Sequence, residues 1–178
     1  MMFNETKIIL DLCGGSGSWS QPYVEAGYDV ELVTLPIRDV RVYFPPENVY
    51  GVLCAPPCTV FSNAGAWVQR SQDEILQALS VVDACLRIVA ISNPVFWCLE
   101  NPVGKLGYYL GKPRWTFDPY EYGDPYTKHT CLWGKFNIPA RNPVPPVLGS
   151  KMHTNVRSPA KRAITPPGFA QAFFEANR

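Results

Sequence analysis

The chain has 178 residues, enough for one domain with a sizeable core, and 47% of them are hydrophobic, which excludes a disordered polypeptide. Lys and Arg number 16 against 15 Asp and Glu, so the net charge of +1 marks no strongly basic or acidic protein as a whole. No uninterrupted apolar run approaches the ~18–20 residues of a bilayer span, and the start, MMFNETKIILDL, lacks the basic region and cleavage site of a signal peptide; the expectation is a soluble, cytoplasmic protein with no membrane partner.

In chain order, KIILDL (7–12) reads as a buried strand running into a glycine turn, CGGSGS (13–18). A short helix over about 19–26 stops at Gly27, and DVELVTL (29–35) is a second strand. VYGVLCA (49–55) is a third, ended by Pro56-Pro57. Ser71 and Glu74 form an S-x-x-E capping box, and Ile75, Leu79, Val82, Leu86 and Val89 then recur at helical spacing up to Ser92. VFWCLE (95–100) is a fourth strand, stopped by Asn101-Pro102, and TCLWG (130–134) a fifth. FAQAFFEAN (169–177) is a terminal helix begun after Pro166-Pro167. Strands alternating with helices specify an α/β domain with a mostly parallel sheet. Neither an internal repeat nor a second domain is visible, so residues 1–178 read as a single domain with an irregular arm at about 135–167.

Charge is distributed unevenly along this plan. Residues 1–100 carry a net −6 and residues 101–178 a net +7, which points to an anionic partner for the second half. Lys135, Arg141, Lys151, Arg157, Lys161 and Arg162 stand in the arm without one acidic residue among them, a pattern suited to a phosphate backbone or to one nucleotide phosphate. Six cysteines, at positions 13, 54, 58, 85, 98 and 131, include no CxxC pair, so neither a disulfide framework nor a zinc site is expected. Cys54, Cys85 and Cys98 read as small buried hydrophobes.

Two places in the chain carry chemistry. A strand followed by Gly14-Gly15-x-Gly17 and a helix has the layout of a nucleotide-cofactor loop, where glycines admit a ligand close to the backbone; Asp11 at the strand's end can order the loop or the ligand. Cys58 follows the Pro-Pro step after the third strand, and Glu100 ends the fourth. In a parallel sheet a thiol and a carboxyl group would share the carboxyl edge with the glycine loop, an arrangement suited to nucleophilic attack assisted by protonation.

DLCGGSGSW (11–19), APPCTVFS (55–62) and LENP (99–102) resemble, in the right order, motifs of the cytosine-C5 DNA methyltransferases. Pro57, Cys58, Phe61 and Ser62 match the nucleophile motif, Glu100 and Asn101 the Glu-Asn motif, and GDPYTKHTCLWG (123–134) is similar to the later Gly-x-Pro-Gln-x-Arg-x-Arg block. The likeness is to short, phage-type members lacking a separate target-recognition domain. It implies a Rossmann-like fold that uses S-adenosylmethionine, held by Asp11, Leu12, Cys13, Gly14, Gly15, Gly17, Asp39 and Pro57. It also implies Cys58 as nucleophile on C6 of cytosine, Glu100 as proton donor to N3, and Lys128 in a catalytic and base-contacting role. Ser62, Asn101, Thr130, Arg157, Lys161 and Arg162 are the remaining substrate-side candidates. Trp67 is placed to close over the site or simply to pack.

Three departures accompany the match. Lys128 aligns with the first Arg of the later block, but Thr130 stands where the second would be. Thr34 or Leu35 occupies the place of the acidic residue that ends the second strand and holds the cofactor ribose; Glu31 lies earlier. The chain is also too short for a recognition domain, leaving only about 134–167 as a substitute. The implied activity is C5 methylation of cytosine in DNA. The alternatives are the same chemistry on a free cytosine nucleotide or single strand, or a non-catalytic nucleic-acid-binding relative.

Overall fold

A computed structural model describes residues 7–63, 68–150 and 163–178. Six strands form one sheet in the order β2-β1-β3-β4-β6-β5. They are β1 (Ile8–Leu12), β2 (Asp29–Val33), β3 (Val49–Cys54), β4 (Phe96–Pro102), β5 (Trp115–Phe117) and β6 (Thr130–Lys135). The first four are mutually parallel, and β6 and β5 close the far side antiparallel. The expected α/β plan with a mostly parallel sheet is therefore the observed one. Register aligns Val33, Leu12, Cys54 and Leu99 on one level, which places the ends of all four parallel strands at a common edge.

Apolar side chains leave both faces of this sheet, as a central parallel sheet requires. Leu10, Leu12, Val52, Cys54 and Leu99 meet α2 (Gln72–Ser92), whose Val82, Ala84, Cys85 and Ile88 are buried. The helix begins where the sequence places it: Ser71 Oγ accepts the Glu74 N–H, and the Glu74 carboxylate accepts the Ser71 N–H. With 21 residues α2 is also long and apolar enough to cross a membrane, a feature that counting uninterrupted apolar residues overlooks. Here one of its faces covers the sheet, and Arg87 fastens the loop after β2 by donating to the Tyr43 carbonyl at 3.0 Å.

Ile9, Leu53, Phe96, Cys98 and Leu132 on the opposite face meet α1 (Gln21–Glu25) and α4 (Pro167–Ala176) through an aromatic layer. Phe169 stacks on Phe117 at 3.9 Å and Trp19 meets Phe173 edge-on at 5.5 Å. Each fully buried Phe of this layer contributes about 2–3 kcal/mol through the apolar area withdrawn from water.

Asn101-Pro102 does not stop β4. The β3 partner ends opposite Leu99, so beyond that point β4 has a neighbour only on its β6 side, and a proline without an N–H costs no ladder bond on the open side. The unforeseen β5 spans only Trp115–Phe117, too short to show a strand period. A one-turn helix, α3 (Gly107–Leu110), and a 3₁₀ turn, Pro119–Tyr122, also fill the connection to β6. Residues 136–150 form neither helix nor strand, as expected. They are nevertheless tied to the preceding segment by Asn142 N–H to Glu121 O, Val144 N–H to Tyr120 O and Leu148 N–H to Pro125 O.

Candidate active site

The glycine turn follows β1 at the carboxyl edge, beneath which Asp11 is 0% exposed. Its Oδ2 accepts the Ser20 hydroxyl at 2.6 Å, while Oδ1 has no hydrogen-bond partner. Burial pushes the carboxyl up to about 6, against the pull of Ser20. Gly14 sits directly on this carboxyl group: a Cβ there would lie 2.0 Å from Asp11 Oδ1. Cys13, Gly15 and Gly17 take positive φ of 61°, 58° and 71°, and the turn closes with the Gly17 N–H on the Gly14 carbonyl at 3.0 Å. Asp11 and Leu12 are wholly buried, and the acid orders the loop through Ser20. Space above Gly15 is open, which fits a ligand lying across the turn. The C-terminal segment locks the loop from outside, with the Thr165 N–H donating to Ser18 Oγ at 3.1 Å.

Glu31 on β2 and Asp39 in the loop after it are each engaged by an arginine. Glu31 pairs with Arg38, and the Thr34 carbonyl accepts the Arg38 N–H at 3.0 Å. Asp39 accepts from Arg41 through its backbone N–H, Nε and Nη2 at 2.6–3.0 Å, hydrogen bonds that hold its carboxyl down at about 2. It stands close enough to Cys13 to add to the upward push on that thiol, which comes first from Cys85 and then from burial. Arg41 covers the Asp39 oxygens.

Cys58 is half-buried just past β3, with Pro57 exposed beside it. Its carbonyl accepts the N–H of Phe61 at 3.1 Å and of Ser62 at 2.8 Å, winding residues 58–62 into a tight turn. The loop's approach is fixed by Asn101: buried at 0% exposure, it donates Nδ2 to the Pro56 carbonyl at 3.1 Å. Arg70 donates to the Thr59 carbonyl at 3.1 Å from the far side. Glu100 is partly exposed, paired with Leu132 across the β4–β6 ladder and one residue beyond the level of Leu12, Cys54 and Leu99. Its charge contributes to raising the buried Cys98 thiol, after desolvation.

The Lys128 segment adjoins the end of β4, with the Val103 N–H on the His129 carbonyl at 3.2 Å. Asp118 orders it, accepting the Lys128 N–H at 2.8 Å and meeting His129 Nδ1 at 3.0 Å. Thr130 is 1% exposed and donates its hydroxyl to the Lys128 carbonyl at 2.7 Å. Its hydroxyl proton is therefore committed to its own chain, one residue beyond His129.

Of the arm's basic residues, the structure describes Lys135 and Arg141. Because β6 runs antiparallel, Lys135 pairs with Trp97 and lies at the amino edge, opposite Cys58. Arg141 is tied to Glu121 at 3.2 Å and lies over the Trp115 ring at 4.9 Å. Trp67, Lys151, Arg157, Lys161 and Arg162 lie outside the described residues. Sequence reading missed Ser20, Arg70 and Asp118; Ser20 and Arg70 act on partners brought near by loop turns, whereas Asp118 opens a D-x-x-E capping box with Glu121 that could have been read from the sequence.

With this geometry in view, the chain can be compared with known proteins. No protein-family model matches it. The Type II methyltransferase M.SacI of Streptomyces achromogenes is 36% identical over 53 residues, 30% of this chain and 14% of that protein. A solved structure, assigned as a DNA modification methyltransferase encoded within an E. coli prophage, superposes with a TM-score of 0.54 at 16% identity, covering 79% of this chain and 52% of that one. The fold is methyltransferase-like. The chain spans about half the length of that solved structure and a much smaller share of the curated relative.

Proposed function

We propose that the chain is a DNA methyltransferase that uses S-adenosylmethionine to methylate C5 of cytosine through a covalent Cys58 adduct. The observation that carries the reading is the gathering of the Gly14–Gly17 loop, Cys58 and Glu100 on one sheet edge, with Asn101 tying the strand of the acid to the loop of the thiol. Ligands of open α/β sheets collect at that edge. Likeness to DNA methyltransferases in both sequence and fold supports the same reading.

Each residue then has a chemical task. The Cys58 thiolate adds to C6 of cytosine, forming the sulfur–carbon bond. Glu100 holds the N3 edge and delivers a proton there as charge builds on the ring. Lys128, on the segment ordered by Asp118, contacts the base or its phosphate. Gly14, Gly15 and Gly17 provide close backbone approach for the cofactor, with Asp39 a further candidate to hold it. When bound, S-adenosylmethionine supplies an electrophilic methyl carbon. Loss of the C5 proton to a base and cleavage of the sulfur–C6 bond then free Cys58. In duplex DNA the target base must leave the stack to reach the thiol.

Incubation with methyl-labelled S-adenosylmethionine and, in parallel, duplex DNA, single-stranded DNA and cytosine nucleotides tests the proposal. Digestion of labelled duplex should yield 5-methylcytosine. Label on a different atom, or turnover of a mononucleotide with none of the duplex, would overturn the assignment.

A further inference from the structure

The thiol and the acid arrive on different strands, and a short ladder joins their loops just beyond the site. Residues 61–63, after Cys58, run antiparallel to residues 103–105, after Glu100. Ser62 and Gly104 pair as a bridge, the Lys105 N–H donates to the Phe61 carbonyl at 2.7 Å, and the Asn63 N–H donates to the Val103 carbonyl at 3.2 Å. A Cβ on Gly104 would lie 1.9 Å from the Phe61 carbonyl oxygen and 3.0 Å from Ser62 Cα. These are backbone atoms, so no side-chain rotation relieves the overlap. Phe61 is 1% exposed and packed in the core, so the loop cannot simply lift away. Gly104 does not have the positive φ seen at other glycines, so close approach, not backbone conformation, is what requires glycine here.

We infer that Gly104 is a positioning residue for the reaction. Its bare backbone lets the segment after Glu100 grip the Cys58 loop, and this grip sets the separation of thiol and carboxyl. The inference rests on the proposed roles of Cys58 and Glu100. A side chain at 104 displaces the nucleophile loop relative to the acid, and a misplacement of about 1 Å costs on the order of 100-fold in rate. The cofactor loop follows β1 and takes no part in the ladder, so cofactor affinity is spared.

Gly104→Ala and Asn63→Pro are compared with the wild type in three measurements: cofactor affinity by calorimetry, kcat and KM for methyl transfer to duplex DNA, and the rate of covalent trapping by duplex containing 5-fluorocytosine. Asn63 is exposed, and Pro there removes one rung and turns a ring carbon toward the Val103 carbonyl, so it disturbs the same ladder from its other segment. Gly104→Ala should lower kcat and trapping rate by about 100-fold, with cofactor Kd within about twofold of wild type. Asn63→Pro should lower both rates in the same direction, again with cofactor Kd within about twofold of wild type. Wild-type kcat in a Gly104→Ala protein that binds cofactor normally would overturn the inference. If Gly104→Ala does not fold, unchanged kcat and trapping in Asn63→Pro overturn it. A wild type that binds cofactor yet neither methylates nor traps would instead overturn the underlying site reading, and the inference with it.

Discussion

Asp11 makes stability depend on pH in a direction opposite to that of most carboxylates. Folded, the group titrates near 6 because burial opposes its charge; its ordinary value is 3.8. Between those values the folded chain binds more protons than the unfolded one, so stability falls as pH rises from about 4 to about 6 and stays lower above that. The difference of about 2 pH units corresponds to about 3 kcal/mol at 1.36 kcal/mol per unit. For a chain of this size that is roughly 6–12 °C in Tm. Asp11→Asn abolishes the titration and leaves an acceptor for Ser20 in place. Its new amide N–H near Gly14 adds a constant offset, whereas the change with pH belongs to the lost carboxyl. Paired carboxylates such as Asp39, held down by Arg41, titrate alike in both proteins and cancel from the comparison. Calorimetric unfolding of wild type and Asp11→Asn from pH 4 to pH 8 should show the wild type losing ground between about pH 4 and 6. Parallel curves across that range would refute the assignment of a raised, buried Asp11.

Other expectations concern the site itself. Cys58→Ser should abolish methyl transfer and 5-fluorocytosine trapping while cofactor binding persists; near wild-type methylation by this variant would remove the nucleophile. Gly17→Val places a β-branched residue at φ 71°, a conformation costing roughly 1–2 kcal/mol, and should weaken S-adenosylmethionine binding by about tenfold or more in calorimetry. Asn101→Ala leaves the Pro56 carbonyl without its donor and should lower stability by about 1–3 kcal/mol in urea titrations, with activity falling alongside. A stable, fully active Asn101→Ala would show that the tie does not hold the Cys58 loop.

By itself the sequence determined those features whose causes lie within a few residues of one another. Alternating or continuous apolar runs marked the four parallel strands and the antiparallel β6, and the Ser71/Glu74 box started α2 where it is observed. The order of the glycine turn, the Pro-Cys step and Glu100 was likewise readable, because the first two follow the ends of their strands and Glu100 lies near the end of its own. Tertiary structure decided what those ends meet. Strand pairing carried β4 through Pro102, sent Lys135 to the edge away from Cys58, and buried Thr130 against its own chain. It brought Arg141 to Glu121, 20 positions earlier, so part of a run that reads as free positive charge is neutralised internally. It also brought Phe61 against Gly104, where only a backbone fits. Local pattern encodes which side of a strand or helix is apolar. It does not encode which carbonyl, acid or ring will stand opposite a given residue, since that is set by how segments distant in the chain pack over one shared core.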